Sequence, residues 1–172
     1  MHARACCGAA ARHTPGLRAQ RCRFGASCKY SHAETNLVRL LRHLRAARAT
    51  LDVCVFNITC DEIAAAILDA HARGVRVRVI TDDEQARSQG SDVRRLAAAG
   101  VQCVADNSPY HMHHKFALVD GGLLMNGSLN WTVQGVKSNE ENVMVTRDAA
   151  FVRAFGTQFE KMWGQFAHNR VA

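Results

Sequence analysis

The sequence predicts an α/β fold, a mixed, largely parallel β-sheet flanked by helices and preceded by a small Cys/His-rich segment. Three observations carry this. Apolar runs of strand length alternate with helix-length segments over residues 35–104, the β-α-β-α-β rhythm that parallel strands need for their crossovers. Two further apolar runs meet across Gly121-Gly122, the punctuation of a hairpin. A last apolar stripe recurs at helical spacing from Phe151 to Phe166.

Leu37, Val38, Leu40, Leu41 and Leu44 follow the helical period and predict a helix over 35–47 that packs on the sheet. A strand follows from Leu51 to Phe56. Asp61 to Ala72 reads as a helix terminated by Gly74, and the alternating run Val75 to Thr81 as the next strand. Ser91 is expected to N-cap a helix ending at Gly100, with a short strand over Val101 to Val104. Asn142 to Thr146 adds another strand. In the last helix Phe151, Val152, Phe155, Phe159, Met162, Trp163 and Phe166 share one face and are read as core.

A chain of 172 residues that is 48% hydrophobic buries one sizeable core, so one catalytic domain over 35–168 and an appendage over 1–34 is the natural partition. The net charge of +7 favours a polyanionic partner, nucleic acid or anionic lipid. Seven cysteines without a recognisable signal peptide point to a reducing compartment. Cys54 and Cys103 sit in apolar runs and read as buried thiols; Cys60, near a helix start, is a candidate reactive thiol. No apolar run approaches the ~20 residues that cross a bilayer, so no transmembrane segment is expected.

The chemistry lies in His113-x-Lys115-x4-Asp120-x6-Gly127-Ser128-x-Asn130. With six fixed residues at about 5% usage each, a chance match is on the order of 10⁻⁸ per starting position. The segment around Phe116 to Val119 reads as a buried strand, on which His113 and Lys115 point one way and His114 the other. Ser128 and Asn130 share a face by the same rule. Asp120 falls at the strand end and takes a supporting role. A neutral imidazole can attack phosphorus and form a phosphohistidine, while the Lys115 ammonium, Ser128 hydroxyl and Asn130 amide stabilise charge on the non-bridging oxygens. Nothing in this scheme requires a metal. The second step needs an acid and then a base, and histidine serves as both. The chain has no second copy of the motif, so the partner imidazole is expected from an identical subunit, in a homodimer with the site at its interface. His111 and His114 are read as non-catalytic, Asp82-Asp83 as a strand-end turn, and Asp61-Glu62 as a helix first turn rather than a metal centre.

These residues, with Gly127 to Thr132 and Asn139-Glu140-Glu141-Asn142-Val143, resemble the phospholipase D superfamily, and within it the single-motif branch of mitochondrial cardiolipin hydrolases, Zucchini-type endonucleases and small bacterial nucleases. The resemblance runs from about Thr35 to Phe166 and includes Leu51 to Phe56 and Arg73 to Val79. It implies that His113 is the nucleophile, that its symmetry mate is the general acid, and that Glu141 orients the histidine. The animal mitochondrial members carry an amino-terminal membrane anchor, which this chain lacks in recognisable form.

Upstream, Cys22-x5-Cys28-x3-His32 has the spacing of a tetrahedral zinc site and resembles the last three ligands of a CCCH zinc finger. The first ligand stays open between His13 and a cysteine, Cys6 or Cys7, reaching in over a longer loop. In a formed finger holding a structural zinc, Phe24 and Tyr30 would stack on single-stranded bases beside Arg21, Arg23 and Lys29. The same stretch, rich in arginine and without acids before Glu34, also resembles a mitochondrial transit peptide, so the address stays open between mitochondrion and cytoplasm.

The motif fixes the bond that is cut and leaves the molecule open. The leading expectation is a metal-independent endonuclease acting on single-stranded RNA. The alternative is a phospholipase converting cardiolipin to phosphatidic acid; a non-catalytic RNA-binding adaptor comes third. A dry, apolar entrance beside His113 would favour lipid, and a narrow basic groove a single strand.

Overall fold

A computed structural model of the protein describes residues 34–171. The expected zinc ligands Cys22, Cys28, His32 and His13 or Cys7, and the expected RNA contacts Arg21, Arg23, Phe24, Lys29 and Tyr30, lie outside the described residues. Two compact units divide between residues 42 and 43. In the described part of the first, Glu34 pairs with Arg39 at 3.6 Å and with Arg42, and Thr35 Oγ1 accepts the Val38 N–H at 3.3 Å, which starts helix α1 (Asn36–Arg45).

The second unit is built on six strands. Its elements are β1 (Thr50–Val55), α2 (Asp61–Ala72), β2 (Arg76–Thr81), α3 (Asp83–Arg87), α4 (Val93–Ala98), β3 (Gln102–Ala105), β4 (Lys115–Val119), β5 (Leu123–Gly127), α5 (Val133–Lys137), β6 (Val143–Thr146) and α6 (Ala149–Phe166). The sheet order is β3-β2-β1-β4-β5-β6. The expected parallel character holds for the half built by crossovers, β3-β2-β1. From β1 to β4 and on through β5 and β6 the pairing is antiparallel; between β4 and β5 this follows from the tight 120–122 turn, which cannot return a strand in parallel.

Cys54, Ile80, Val104, Phe116, Leu118 and Leu124 form one apolar sheet face, and α6 covers it with Val152, Phe159 and Met162. Each such side chain withdrawn from water contributes about 1.5–3 kcal/mol. Strand residues of the opposite parity, among them Val53, Val55, Val79 and Ala117, are buried as well, and α2 and α4 pack beside β2 and β3. On the α6 face Arg78 forks onto Asp52 at 2.7 and 3.0 Å and reaches Glu160 at 2.6 Å, with its guanidinium 4.8 Å from the Phe159 ring centre. A buried charge needs this pairing, and here it ties β1, β2 and α6 together.

Three expectations are corrected. Asp92, not Ser91, is the N-cap residue of α4, although Ser91 Oγ still receives the Val93 N–H at 3.5 Å. Phe151 is 52% exposed: it stands in the first turn of α6 and does not join the cluster that Val152 and Phe159 build. Strand β4 begins at Lys115, so His113 and His114 precede it. The short helices α3 and α5 have too few residues to display a period in the sequence.

Candidate active site

The site lies outside the carboxyl ends of β1 and β2, the usual place for ligands in open α/β sheets. The register Val55↔Lys115 sets the start of β4 against the end of β1, and the Phe56 N–H extends that ladder by donating to the His114 carbonyl at 2.8 Å. This brings His113 onto Phe56, ring centroids 4.7 Å apart and planes inclined by 64°. Lys115 Nζ donates to the His113 carbonyl at 2.8 Å and sits 5.3 Å from the same aromatic ring.

The second part of the motif arrives from β5. Pairing Phe116↔Asn126 leaves Lys115 opposite Gly127, with Ser128 immediately beyond. Gly127 is required there, because a Cβ would overlap the Asn142 carbonyl oxygen of the entering β6. The Ser128 hydroxyl donates to Glu141 Oε2 and accepts the Asn142 N–H at 3.1 Å, while Asn139 Nδ2 donates to Glu141 Oε1 at 3.0 Å. Glu141 therefore holds Ser128. Both of its oxygens are engaged by near neighbours, and the expected Glu141 contact with His113 is not formed among the described residues.

Asn130 is half-buried, and its Oδ1 has no protein partner among the described residues. Its backbone is backed by Gly135 of α5, where a Cβ would overlap the Asn130 carbonyl oxygen, and Thr132 caps that helix by accepting the Gly135 N–H at 2.9 Å.

Asp120 lies elsewhere. It sits at the far end of β4, roughly 16 Å of strand from Lys115. Its carboxylate accepts N–H groups from Arg48, Ala49 and Thr50 at 2.8–3.1 Å, and its own φ is +52°. It fastens the entry to β1 and does not join the cluster.

The charges are set by burial and by each other. Burial first, then Lys115 and His111, push the His113 imidazole below the ordinary histidine range against an opposing pull from Asp82. That favours the neutral, nucleophilic form. Burial also lowers the Lys115 ammonium, with Glu141 opposing. Hydrogen bonds from Ser128 and Asn139 hold the Glu141 carboxyl below its ordinary value. Cys60 is not the reactive thiol expected: it is buried, and burial pushes it up to about 11. Cys103 is likewise pushed up to about 12, and Cys54 is raised.

One residue escaped the sequence reading. Phe56 looked like the last residue of a strand; only the β1–β4 pairing reveals it as the platform of the site. His111 stands 6.3 Å from His113, ring centre to ring centre, with Nδ1 3.2 Å from Asp82. Asp82, Glu84 and His111 are the described residues that come closest to a metal-ligand set. The hydrogen bonds of Asp82 to the Gln85 and Met112 N–H groups account for it as the cap of α3, close to the strand-end turn expected.

An open groove of about 540 Å³ leads away from His113, lined on one side by the 106–114 segment and on the other by α6. Among the described residues no lysine or arginine lines it.

A family model described as "Cardiolipin synthase, PLD-like domain" matches residues 40–163. A mitochondrial cardiolipin hydrolase of Chlamydomonas reinhardtii is 50% identical over 139 residues, which cover 81% of this chain and 62% of that protein. The Homo sapiens mitochondrial cardiolipin hydrolase is 44% identical over 93% of this chain and 64% of its own length, so the chain spans somewhat under two thirds of these relatives. Among solved structures, the phospholipase D family member Nuc from Salmonella typhimurium superposes with a TM-score of 0.73 at 22% identity, covering 78% of this chain and 90% of that one. NucT from Helicobacter pylori gives 0.69 at 23% identity, covering 79% and 89%. At that identity the two structures speak for the fold alone. With the motif, the sheet and the family match in agreement, the chain belongs to the phospholipase D-like family.

Proposed function

We propose that the protein is a phospholipase D-type phosphodiesterase whose substrate is cardiolipin, acting in the mitochondrion. The observation that carries the reaction is the His113 imidazole set edge to face on Phe56, with a lysine and a carboxylate-held serine beside it. His113 attacks the phosphorus, a P–N bond forms, and the P–O bond to the departing glycerol breaks. The leaving oxygen takes a proton from a second imidazole; that imidazole then removes a proton from water as the water oxygen displaces His113, leaving phosphatidic acid. Lys115, Ser128 and Asn130 take the non-bridging oxygens, and Glu141 fixes Ser128. No step calls on a catalytic metal.

The substrate choice is supported by the relatives' names and by the groove beside His113, where the described residues supply apolar side chains and no lysine or arginine. A strand of RNA, the expectation the sequence put first, would need cations along its path. The net charge of +7 keeps single-stranded RNA as the second reading, with a zinc-held finger over residues 1–34 as its contact segment beside a catalytic domain over 35–168.

We further propose that the second imidazole is His113 of an identical subunit. Supporting this, β6 is an edge strand whose Val143, Met144 and Val145 are 41–44% exposed, directly after the Glu141 side of the half-site.

The test is phosphatidic acid release from cardiolipin vesicles in the presence of chelator, with His113→Asn alongside. Wild type is expected to turn over and the variant to lose on the order of 10⁴-fold or more. Adding His113→Asn to wild type should lower activity beyond dilution if sites are shared. Cleavage of RNA with cardiolipin left intact would replace the first reading by the second.

A further inference from the structure

The groove beside His113 has one wall that the reaction chemistry does not use. Gln158, Met162, Gln165 and Phe166 of α6 line it, at spacings of four, seven and eight residues from the first, so they form one stripe along the helix. Met162 is 5% exposed and belongs to the core, and Phe166 is packed against that core, which makes the apolar part of the stripe a fixed floor. The two glutamine side chains have no hydrogen-bond partner among the described residues. Across the groove, Tyr110 stands 81% exposed at its mouth.

Uncharged amide donors beside an apolar floor suit a ligand with neutral carbonyl acceptors next to hydrocarbon. An exposed tyrosine suits the boundary between water and lipid, where its ring is dry and its hydroxyl wet. Resting on the lipid reading of the same site, we propose that this stripe is the subsite for the ester-linked glycerol backbone of a phospholipid. In it, the Gln158 and Gln165 carboxamides donate to the ester carbonyls, Met162 and Phe166 take the first acyl methylenes, and Tyr110 rests in the membrane interface while His113 meets the phosphorus. A polynucleotide fits the same wall poorly, since its phosphates would find no lysine or arginine among the described residues there.

The test compares vesicles of ester-linked cardiolipin with vesicles of its ether-linked analogue, which lacks the carbonyls, using the full-length chain. A soluble diester, bis(p-nitrophenyl) phosphate, reports the reaction chemistry. Wild type should favour the ester lipid about five- to ten-fold in kcat/KM, the scale of one or two hydrogen bonds. The double variant Gln158→Ala/Gln165→Ala should erase that preference. Tyr110→Ser, at an exposed position that leaves the core untouched, should lower the ratio of vesicle to soluble-diester turnover about ten-fold.

An ester preference that survives in the double variant, or a vesicle ratio that Tyr110→Ser leaves within two-fold of wild type, overturns the subsite while the cardiolipin reading stands. Wild type that cleaves the soluble diester but no cardiolipin removes both. Selective loss of oligoribonucleotide cleavage in Tyr110→Ser would make the groove a base-stacking site and likewise overturn the assignment.

Discussion

Phe56 and His113 meet edge to face, ring centroids 4.7 Å apart, and the same phenyl ring lies 5.2 Å from His111 and 5.3 Å from Lys115 Nζ. One side chain just past the end of β1 thus contacts three groups of the candidate site. Phe56→Leu keeps an apolar side chain but removes the ring face and edge that fix the imidazole. It should lower kcat about ten-fold, about 1.4 kcal/mol in the barrier, with KM for a soluble diester changed less than two-fold. Phe56→Tyr should restore most of the loss. Steady-state kinetics with a melting curve for each variant separates this from unfolding; a loss that falls on KM would deny Phe56 a positioning role.

His113 titrates below the ordinary histidine value of about 6.5, by burial first and by Lys115 and His111 after it. Attack needs the neutral form, so kcat/KM should stay on its plateau as pH falls past 6.5 and decline only through the lower value. Removing the neighbouring charge in Lys115→Met should cost about 10²–10³-fold in rate and move the acid limb of the residual activity upward. A limb unmoved in that variant would assign the whole shift to burial and the remaining neighbours.

Much of this was legible in the chain because period and punctuation are local. The strands around Leu51–Phe56 and Val75–Thr81, the helix Asp61–Ala72 and the hairpin at Gly121-Gly122 appear within a residue or two of where the sequence puts them. The fixed spacing of the motif likewise delivers His113, Lys115 and Ser128 to one place, because β4 and β5 are hairpin neighbours. What could not be read is pairing between distant segments. The β1–β4 register that lays Phe56 under His113 joins residues 60 to 68 positions apart, and no local pattern announces it. Asp120 shows the converse. It belongs to the motif by spacing, yet alternation and strand length carry it to the opposite end of β4, where it binds backbone.

Asp120 is therefore expected to govern stability rather than turnover. Burial raises its carboxyl, but hydrogen bonds from Thr50, Ala49 and Arg48 outweigh that and hold it below the ordinary carboxylate value. The stabilisation is present above about pH 3.9 and is lost as pH falls through the lower folded-state value. Asp120→Asn tolerates the left-handed backbone but removes the charge and turns one acceptor oxygen into a donor facing the Arg48 N–H, so it should destabilise by about 1–2 kcal/mol at neutral pH. Below pH ~4 its difference from wild type should narrow. Per folded molecule kcat should remain within two-fold; a hundred-fold loss would return Asp120 to the catalytic set.

Gly135 offers a way to move Asn130 without changing its chemistry. A Cβ at that position overlaps the Asn130 carbonyl oxygen and presses on Thr132 Oγ1 and Leu129, so α5 or the Asn130 backbone must shift. Displacing a phosphate-side donor by about 1 Å can cost 10²-fold in rate, whereas a methyl added at this site should cost about 1–3 kcal/mol of stability. Gly135→Ala should then lose activity far out of proportion to its change in melting temperature. Gly164→Ala, in α6 with nothing within 4 Å of the new methyl, supplies the control and should be neutral or stabilising by about 0.5–1 kcal/mol. If both alanines leave kcat/KM at the wild-type level, Asn130 is not positioned by α5, and the loop after Ser128 holds it unaided.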